Sequence, residues 1–296
     1  MTIKKQSGIS IGVSSWNTSD IIEEALDSIV ATAGDLNIDV TVIDDASTDG
    51  GFAHIAEKFK NDQRFFFMKN EENLGVPALN AAFRRSQSKY IVTFDSDARL
   101  MPETLQILLA FMEKHPEAGG ATANLLYADG SPQVYFRRTY TPSRYFFTTV
   151  LGRVVDKYFL GLRNFKEYHY ADLDIARDSE VEQSPTACLM LRREALGSYI
   201  FDPQFRVFMP DVDLAKRIYD NGYKIYLVSV AKAVHLKSAS NSKRGKVWID
   251  REVNSSSLLY FRKHYPLWFP LVWIAMLLDR ALRSIMLRTM GREPAH

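Results

Sequence analysis

Two carboxylates two residues apart leave the end of an apolar run in Tyr90-Ile-Val-Thr-Phe-Asp95-Ser96-Asp97. A turn after a buried strand lets both converge on one cation, and hard divalent ions take oxygen ligands while keeping positions for phosphate oxygens. Turn formation accounts for the same Asp and Ser residues without any ligand. A second acidic pair, Asp44-Asp45, closes Val42-Ile43 and opens Ala46-Ser47-Thr48-Asp49-Gly50. Adjacent acids repel, so keeping both needs compensation. A carboxylate there can accept an N–H from a nucleobase or bind ribose hydroxyls, whereas Ser47, Thr48 and Asp49 suit a helix cap. In Met209-Pro210-Asp211-Val212-Asp213, Asp211 stands at the start of a helical pattern. The helix dipole favours its ionised form, and an ionised carboxylate facing a cleft can act as a general base. An N-cap role explains Asp211 as well, and first-turn placement or a salt bridge explains Asp213. His235 follows the apolar pair Ala233-Val234. It is either a satisfied structural residue or a metal ligand needing carboxylates from elsewhere, with Asp97 the candidate. Cys188, the only cysteine, reads as core material.

These groups need strand ends to hold them, and the chain supplies alternating strand and helix patterns. Ile9–Ser14, Val40–Ile43, Phe65–Met68, Tyr90–Phe94 and Ala121–Leu126 are short apolar runs. Between them, Asp20–Ala31, Gly51–Lys60, Val76–Arg85 and Pro102–Lys114 follow helical spacing. Glu23 and Glu24 suit a first helical turn, and Pro77 and Pro102 are tolerated near helix starts. This alternation predicts an α/β fold, a mostly parallel sheet flanked by helices, with ligands beyond the carboxyl ends of the strands. Ser14, Ser15 and Trp16, then Asp44 and Asp45, then Asp95 and Asp97 occupy those ends. Thr139–Ser184 shows no clean period, and its acidic part, Asp172–Glu182, is expected to be mobile. Strand patterns return at Ala187–Leu191, Ile225–Val228 and Ala233–Val234, with a helix at Val212–Asn221 ended by Gly222.

A chain of 296 residues that is 46% apolar and 24% charged has ample core material, which excludes disorder as its main state. One cysteine excludes a disulfide scaffold and fits a reducing compartment. The net charge of +2 hides an asymmetry: residues 239–296 carry 10 Lys and Arg against 4 acids, net +6, and the remainder is net −4. The apolar run Pro266–Leu278 is 13 residues long, where a spanning helix needs about 20. Arg262, Lys263 and His264 precede it, and Arg280, Arg283, Arg288 and Arg292 follow. Trp268 and Trp273 suit a water–lipid interface. The pattern predicts an in-plane amphipathic anchor on an anionic membrane surface through residues 260–292. A helix docked on the body or on a partner subunit is the other reading. Nucleic-acid binding is disfavoured, because the basic residues cluster in an apolar tail. Met1–Ser15, with Lys4 and Lys5, has neither a long apolar core nor a cleavage pattern, so no signal peptide is expected.

Taken in order, these segments resemble family 2 glycosyltransferases, inverting enzymes that use nucleotide sugars. The likeness runs from about Ile9 to Ser240 through Ile9–Asn17, Val42–Gly50, Asn73-Leu-Gly-Val-Pro-Ala-Leu-Asn80 and Asp95-Ser-Asp97. The second half is similar to the rhamnosyltransferase-like branch at Ala187–Glu194, Phe205–Arg217, Ala233-Val-His-Leu236 and Tyr260-Phe-Arg-Lys-His264. It departs at Pro210, where an acid commonly precedes the catalytic Asp, at Thr186, where Gly is common, and at Ile200-Phe-Asp202, a reduced form of a Gly-Gly-Phe-Asp element.

The resemblance implies a GT-A fold over residues 1–240, with nucleotide-sugar binding over about 1–130, acceptor binding over about 131–240, and a C-terminal helical extension over 241–296. It implies that Ser14, Trp16, Asp44, Asp45, Asn73, Asp95 and Ser96 bind the nucleotide-diphosphate sugar, Trp16 packing on the base. Asp97, His235 and Asp95 would hold Mg²⁺ or Mn²⁺, and Asp211 would take the proton of an acceptor hydroxyl. The acceptor would be a glycan or lipid-linked glycan in cell-surface polysaccharide assembly, with the enzyme cytoplasmic and peripheral on the inner face of the membrane. Self-association is left open. Two alternatives stand beside this: a catalytically inactive nucleotide-sugar-binding scaffold, which Pro210 keeps in view, and an aspartyl-nucleophile phosphatase. The phosphatase fits poorly, since Asp95-Ser-Asp97 follows the fourth strand and Ala98 holds a position where Thr or Val is preferred.

Overall fold

β-Branched and aromatic runs form the first strands of the computed structural model, which describes residues 8–236 and 245–289. Lys4, Lys5, the boundary between 240 and 241, and Arg292 lie outside the described residues. Strands β1 (Ile9–Ser15), β2 (Ile38–Asp44), β3 (Phe65–Lys69) and β4 (Tyr90–Asp95) pair in parallel in the order β3-β2-β1-β4. Helices α1 (Ile22–Thr32), α2 (Phe52–Phe59), α3 (Asn80–Arg85) and α4 (Thr104–Lys114) connect and cover them. Both faces of β1, β2 and β4 are buried, as a parallel sheet requires, while the edge strand β3 is partly exposed. Ile11, Val13, Val40 and Val42 pack on Leu26 and Ile29 from one side, and Ile43 and Ile91 meet Ala82 and Leu214 on the other.

The sheet continues past β4. Strands β5 (Ala98–Leu100), β6 (Ala118–Leu126), β7 (Ser179–Glu180), β8 (Cys188–Arg192) and β9 (Lys224–His235) complete it, in the order β4-β8-β6-β9-β5, with β7 also on β9. These pairings are antiparallel, except that β6 and β9 run parallel. Ile225–Val228 and Ala233–Val234, expected as two strands, belong to one. The register slips where Val228 faces Ala123 but Lys232 faces Asn124, so residues 229–231 bulge and break the alternation. The segment without a clean period holds three short helices: α5 (Pro142–Phe146), α6 (Val150–Phe159) and α7 (Arg163–Tyr168). Part of the acidic stretch expected to be mobile is tied down. β7 pairs with β9, and Glu182 accepts a hydrogen bond from the Thr139 amide at 2.7 Å.

Helix α8 (Pro210–Asp220) precedes β9, and α9 (Lys246–His264) and α10 (Phe269–Thr289) end the described chain. The extension is docked. Tyr260, Phe261, Val272 and Met276 bury themselves against Tyr140, Tyr145, Phe205 and Val212. Asp213 on α8 accepts from Arg217 at 2.8 Å, Lys263 at 2.6 Å and His264 at 2.8 Å. Lys263 reaches Asp202 as well, at 2.6 Å. Among the described residues, no helix is long and apolar enough to cross a membrane.

Candidate active site

The carboxyl ends of β1, β2 and β4 come together by register. Ser14 lies between Ile43 and Asp95, and Ser15 opposite Asp44. The loops beyond are tightly wound. Asn17 (φ 55) and Ala46 (φ 62) adopt the left-handed conformation that costs non-glycine residues energy, a feature that clusters at functional loops. The Asn17 amide donates to Ser47 Oγ at 2.9 Å, and the Thr48 amide donates to Asn17 Oδ1 at 2.8 Å. Hydroxyls of Ser15, Thr18 and Ser96 form a chain, with spacings of 2.9 and 3.0 Å, that joins the ends of β1 and β4. Trp16 sits half-buried in the same loop.

Asp44 is fully buried. Its Oδ1 accepts from the Ser47 amide at 2.9 Å, and Lys69 Nζ lies 3.1 Å from Oδ2, compensating the charge of adjacent acids. Asp45 is used differently. It accepts from Asn70 Nδ2 (2.8 Å), the Leu74 amide (2.9 Å) and the Gly75 amide (2.8 Å), while Asn73 Nδ2 donates to its carbonyl at 3.2 Å. Asp45 and Asn73 therefore shape the 70–75 loop. That loop presses on the segment leading to α8: Gly75 is left-handed (φ 74), and a Cβ there would lie 2.1 Å from the Arg206 carbonyl oxygen. Val76 donates to that same oxygen at 2.8 Å, and the Arg206 guanidinium donates to the Asn73 carbonyl at 2.6 Å.

Asp95, Asp97 and His235 form one group, each offering a ligand atom within 4.8 Å of the others. The turn after β4 leads into β5, which pairs antiparallel with the end of β9, Ala98 opposite His235. The Leu236 amide donates to the Asp97 carbonyl at 2.9 Å. His235 Nε2 lies 3.4 Å from Asp97 and 3.6 Å from Asp95. Gln133 sets the imidazole. Its Nε2 donates to the His235 carbonyl, so its Oε1 accepts from Nδ1–H at 3.0 Å, and the imidazole Nε2 is turned toward the carboxylates. Burial, opposed by His235 and reinforced by Asp97, raises the Asp95 carboxyl to about 6, though water screens part of this because 41% of its side chain is exposed.

Asp211 is half-buried in the first turn of α8, behind Pro210 at the first helical position and Met209, which is left-handed at φ 71. Proline suits that position because its missing N–H has no partner in a helix anyway. Gln183 Nε2 donates to Asp211 Oδ2 at 2.8 Å, and Gln183 Oε1 is buried with no hydrogen-bond partner. Burial pushes the Asp211 carboxyl up, and the Gln183 bond and nearby backbone amides pull it back. Gln133 and Gln183 escaped the sequence reading. Each lies in a loop with no periodic or motif signal, and only the folded chain places it beside a charged group.

Residues 10–196 match the family profile described as Glycosyl transferase family 2. The chain belongs to that family. Among curated relatives of this family 2 chain is the putative teichuronic acid biosynthesis glycosyltransferase TuaG of Bacillus subtilis. It is 31% identical over 126 residues, which is 42% of this chain and 50% of that protein. The chain thus spans about half the length of that relative. Two solved structures share its fold. S. aureus TarS 1–349 in complex with UDP-GlcNAc has a TM-score of 0.52 at 20% identity, over 86% of this chain and 74% of that one. GalNAc-T7 with UDP, GalNAc and Mn²⁺ has a TM-score of 0.61 at 12% identity, over 82% and 46%. The mixed α/β sheet of this family 2 chain, with helices on both faces, is a GT-A-like fold.

Proposed function

We propose that the chain is a divalent-cation-dependent, inverting glycosyltransferase. It transfers a sugar from a nucleotide-diphosphate sugar to a hydroxyl of a glycan or lipid-linked glycan. The observation that carries this is the Asp95, Asp97 and His235 group at the end of β4, in a chain whose α8 starts with a carboxylate held by Gln183. The UDP-GlcNAc held by TarS, the UDP and Mn²⁺ held by GalNAc-T7, and the teichuronic acid role in the name of TuaG support a sugar donor and a polysaccharide product. The rhamnosyltransferase-like likeness of the second half, peripheral attachment to an anionic inner membrane surface through residues 260–292, and a cytoplasmic place of work belong to the same proposal.

Two carboxylates and an imidazole oriented by its other nitrogen make a donor set that fits Mg²⁺ or Mn²⁺. Asp95, Asp97 and His235 Nε2 would hold the ion, whose charge stabilises a departing nucleoside diphosphate. The protein's own residues supply the rest. Ser14, Trp16, Asp44 and Ser96 border the nucleotide-sugar site, Trp16 offering a face to the base. Asp45 and Asn73 hold the 70–75 loop that walls the site. Asp211 takes the proton from the attacking hydroxyl, and its raised affinity for protons suits a general base. One displacement at the anomeric carbon then inverts configuration without a covalent sugar–enzyme intermediate.

A donor panel assayed for cation-dependent nucleotide release, with and without a lipid-linked acceptor, tests the reading. In Asp211→Asn, transfer falls by about 100-fold or more while donor affinity, read by calorimetry, is retained. Full transfer by that variant removes Asp211 from the mechanism. In Asp97→Ala, donor affinity loses its dependence on added Mn²⁺, and an unchanged dependence contradicts the metal assignment. Donor binding by the wild-type chain with neither transfer nor hydrolysis would favour the scaffold reading.

A further inference from the structure

Helix α10 is two-faced in an unusual way. Val272 and Met276 pack inward, yet Leu271, Ile274 and Leu278, at helical spacing on the other side, are all exposed, as is Leu267 in the turn before the helix. A helix apolar on both sides is expected to be covered by something. Helix α6 also leaves an apolar face uncovered: Leu151, Val154 and Tyr158 share an exposed side, its last residue Phe159 is exposed, and the turn into α7 adds exposed Leu160 and Leu162. The two helices are fastened together: the Val150 amide, at the start of α6, donates to Asp279 of α10 at 2.5 Å. The neighbours of that bond, Leu151 and Leu278, are 51% and 57% exposed. Gly152 fixes the corner, since a Cβ there would lie 1.9 Å from the Phe146 carbonyl oxygen.

Charge separates the candidate occupants. Residues 150–168 expose Arg153, Lys157, Arg163 and Lys166. Their two acids are otherwise engaged. Asp156 is buried, accepting from Asn164 and Phe165 backbone amides at 3.1 and 2.8 Å, and Glu167 lies 3.6 Å from Arg144. A two-fold dimer through this face would set one cluster of cations against its own copy, a repulsive arrangement. An anionic lipid surface meets the cations with opposite charge and takes up the leucines and aromatics between them.

We propose that α6 and the turn into α7 form a second bilayer-contacting element beside α10, so that the protein seats itself on anionic lipid with two braced helices rather than a terminal one. This rests on the membrane attachment read above for residues 260–292. The full chain is mixed with vesicles of phosphatidylcholine alone, or of phosphatidylcholine with an equal amount of phosphatidylglycerol, and floated on a gradient. The wild type floats with the anionic vesicles only. The triple variant Leu151→Ser, Val154→Ser, Tyr158→Ser lowers the bound fraction by about tenfold or more, as does Leu271→Ser, Ile274→Ser, Leu278→Ser on α10. Lys157→Glu with Arg163→Glu, both exposed and so harmless to folding, gives a comparable loss at low salt. Unchanged unfolding midpoints show that these losses are not misfolding. If the α10 variant detaches while both α6 variants float like wild type, the two-helix seat is wrong and attachment through 260–292 stands. A wild type that does not float overturns both. A concentration-dependent dimer that the α6 variant breaks, with no vesicle binding, assigns the face to self-association and also overturns the proposal.

Discussion

Gln133 and Gln183 stand behind the imidazole and the carboxylate on which the proposed chemistry depends. Replacing Gln133 by Leu leaves His235 without the acceptor that holds its Nδ1–H. Divalent-cation affinity should fall by about 10- to 100-fold, measured by Mn²⁺ calorimetry, with the fold intact by circular dichroism. Gln183→Leu removes the hydrogen bond that pulls the Asp211 carboxyl down, so burial acts unopposed by it and the proton affinity of Asp211 rises. The base is then protonated up to a higher pH. The acidic limb of the kcat/KM profile should therefore move upward in pH, and a limb that stays put means Gln183 does not tune Asp211. The charged partners of these glutamines were legible in the sequence because carboxylates at strand ends and helix starts stand out by type and position. An amide in a loop has no such mark.

The elements that carry the site differ in how openly they announce themselves. β1, β2 and β4 are buried on both faces and read as continuous apolar runs, so their ends could be marked in advance. β5 could not, because Ala98–Leu100 is too short for a pattern and owes its strand to pairing with β9. The bulge at 229–231 hid the unity of β9 in the same way, and α5 to α7 are shorter than the window that periodicity needs. Helix α8 depends on a charge cluster that sequence spacing alone does not assemble. Burial would raise the Asp213 carboxyl, but His264, Lys263 and Arg217 outweigh it and hold it at about 2. Because the folded value is depressed, this stabilisation is complete above about pH 4, where the unfolded carboxyl is also ionised, and is lost as pH falls through 2. The contribution is on the order of 2 kcal/mol, and denaturant titrations at descending pH should show it disappearing in that window for wild type but not for Asp213→Asn. The Gly75 contact is steric instead. Gly75→Ala meets both a left-handed backbone and the Arg206 carbonyl, so a loss of at least ~1 kcal/mol is expected, together with reduced transfer, since the 70–75 loop braces the approach to Asp211.

Across the whole molecule, the basic C-terminal stretch is divided between two tasks that its composition cannot separate. Lys263 and His264 belong to the packed body through Asp213, whereas Arg280 is exposed beside the apolar stripe of α10. Removing residues from 265 onward should therefore do more than abolish vesicle binding. It strips Val272 and Met276 from the cluster around Tyr140 and Tyr145, and the unfolding free energy should drop by about 3 kcal/mol or more, unlike the surface variants. Equal stability of the truncated and full chains would show that α10 is not part of the body. The pairing of β5 with β9 has a further consequence, in time rather than in space. Asp95 and Asp97 are synthesised long before His235, and Gln133 gains its imidazole partner only once that histidine arrives. A nascent chain emerging from a ribosome therefore carries the two acids of the proposed cation site without its imidazole until β9 has cleared the exit tunnel. Any product cut short before β9 carries the loops after β1, β2 and β4 yet lacks the third of the proposed ligands.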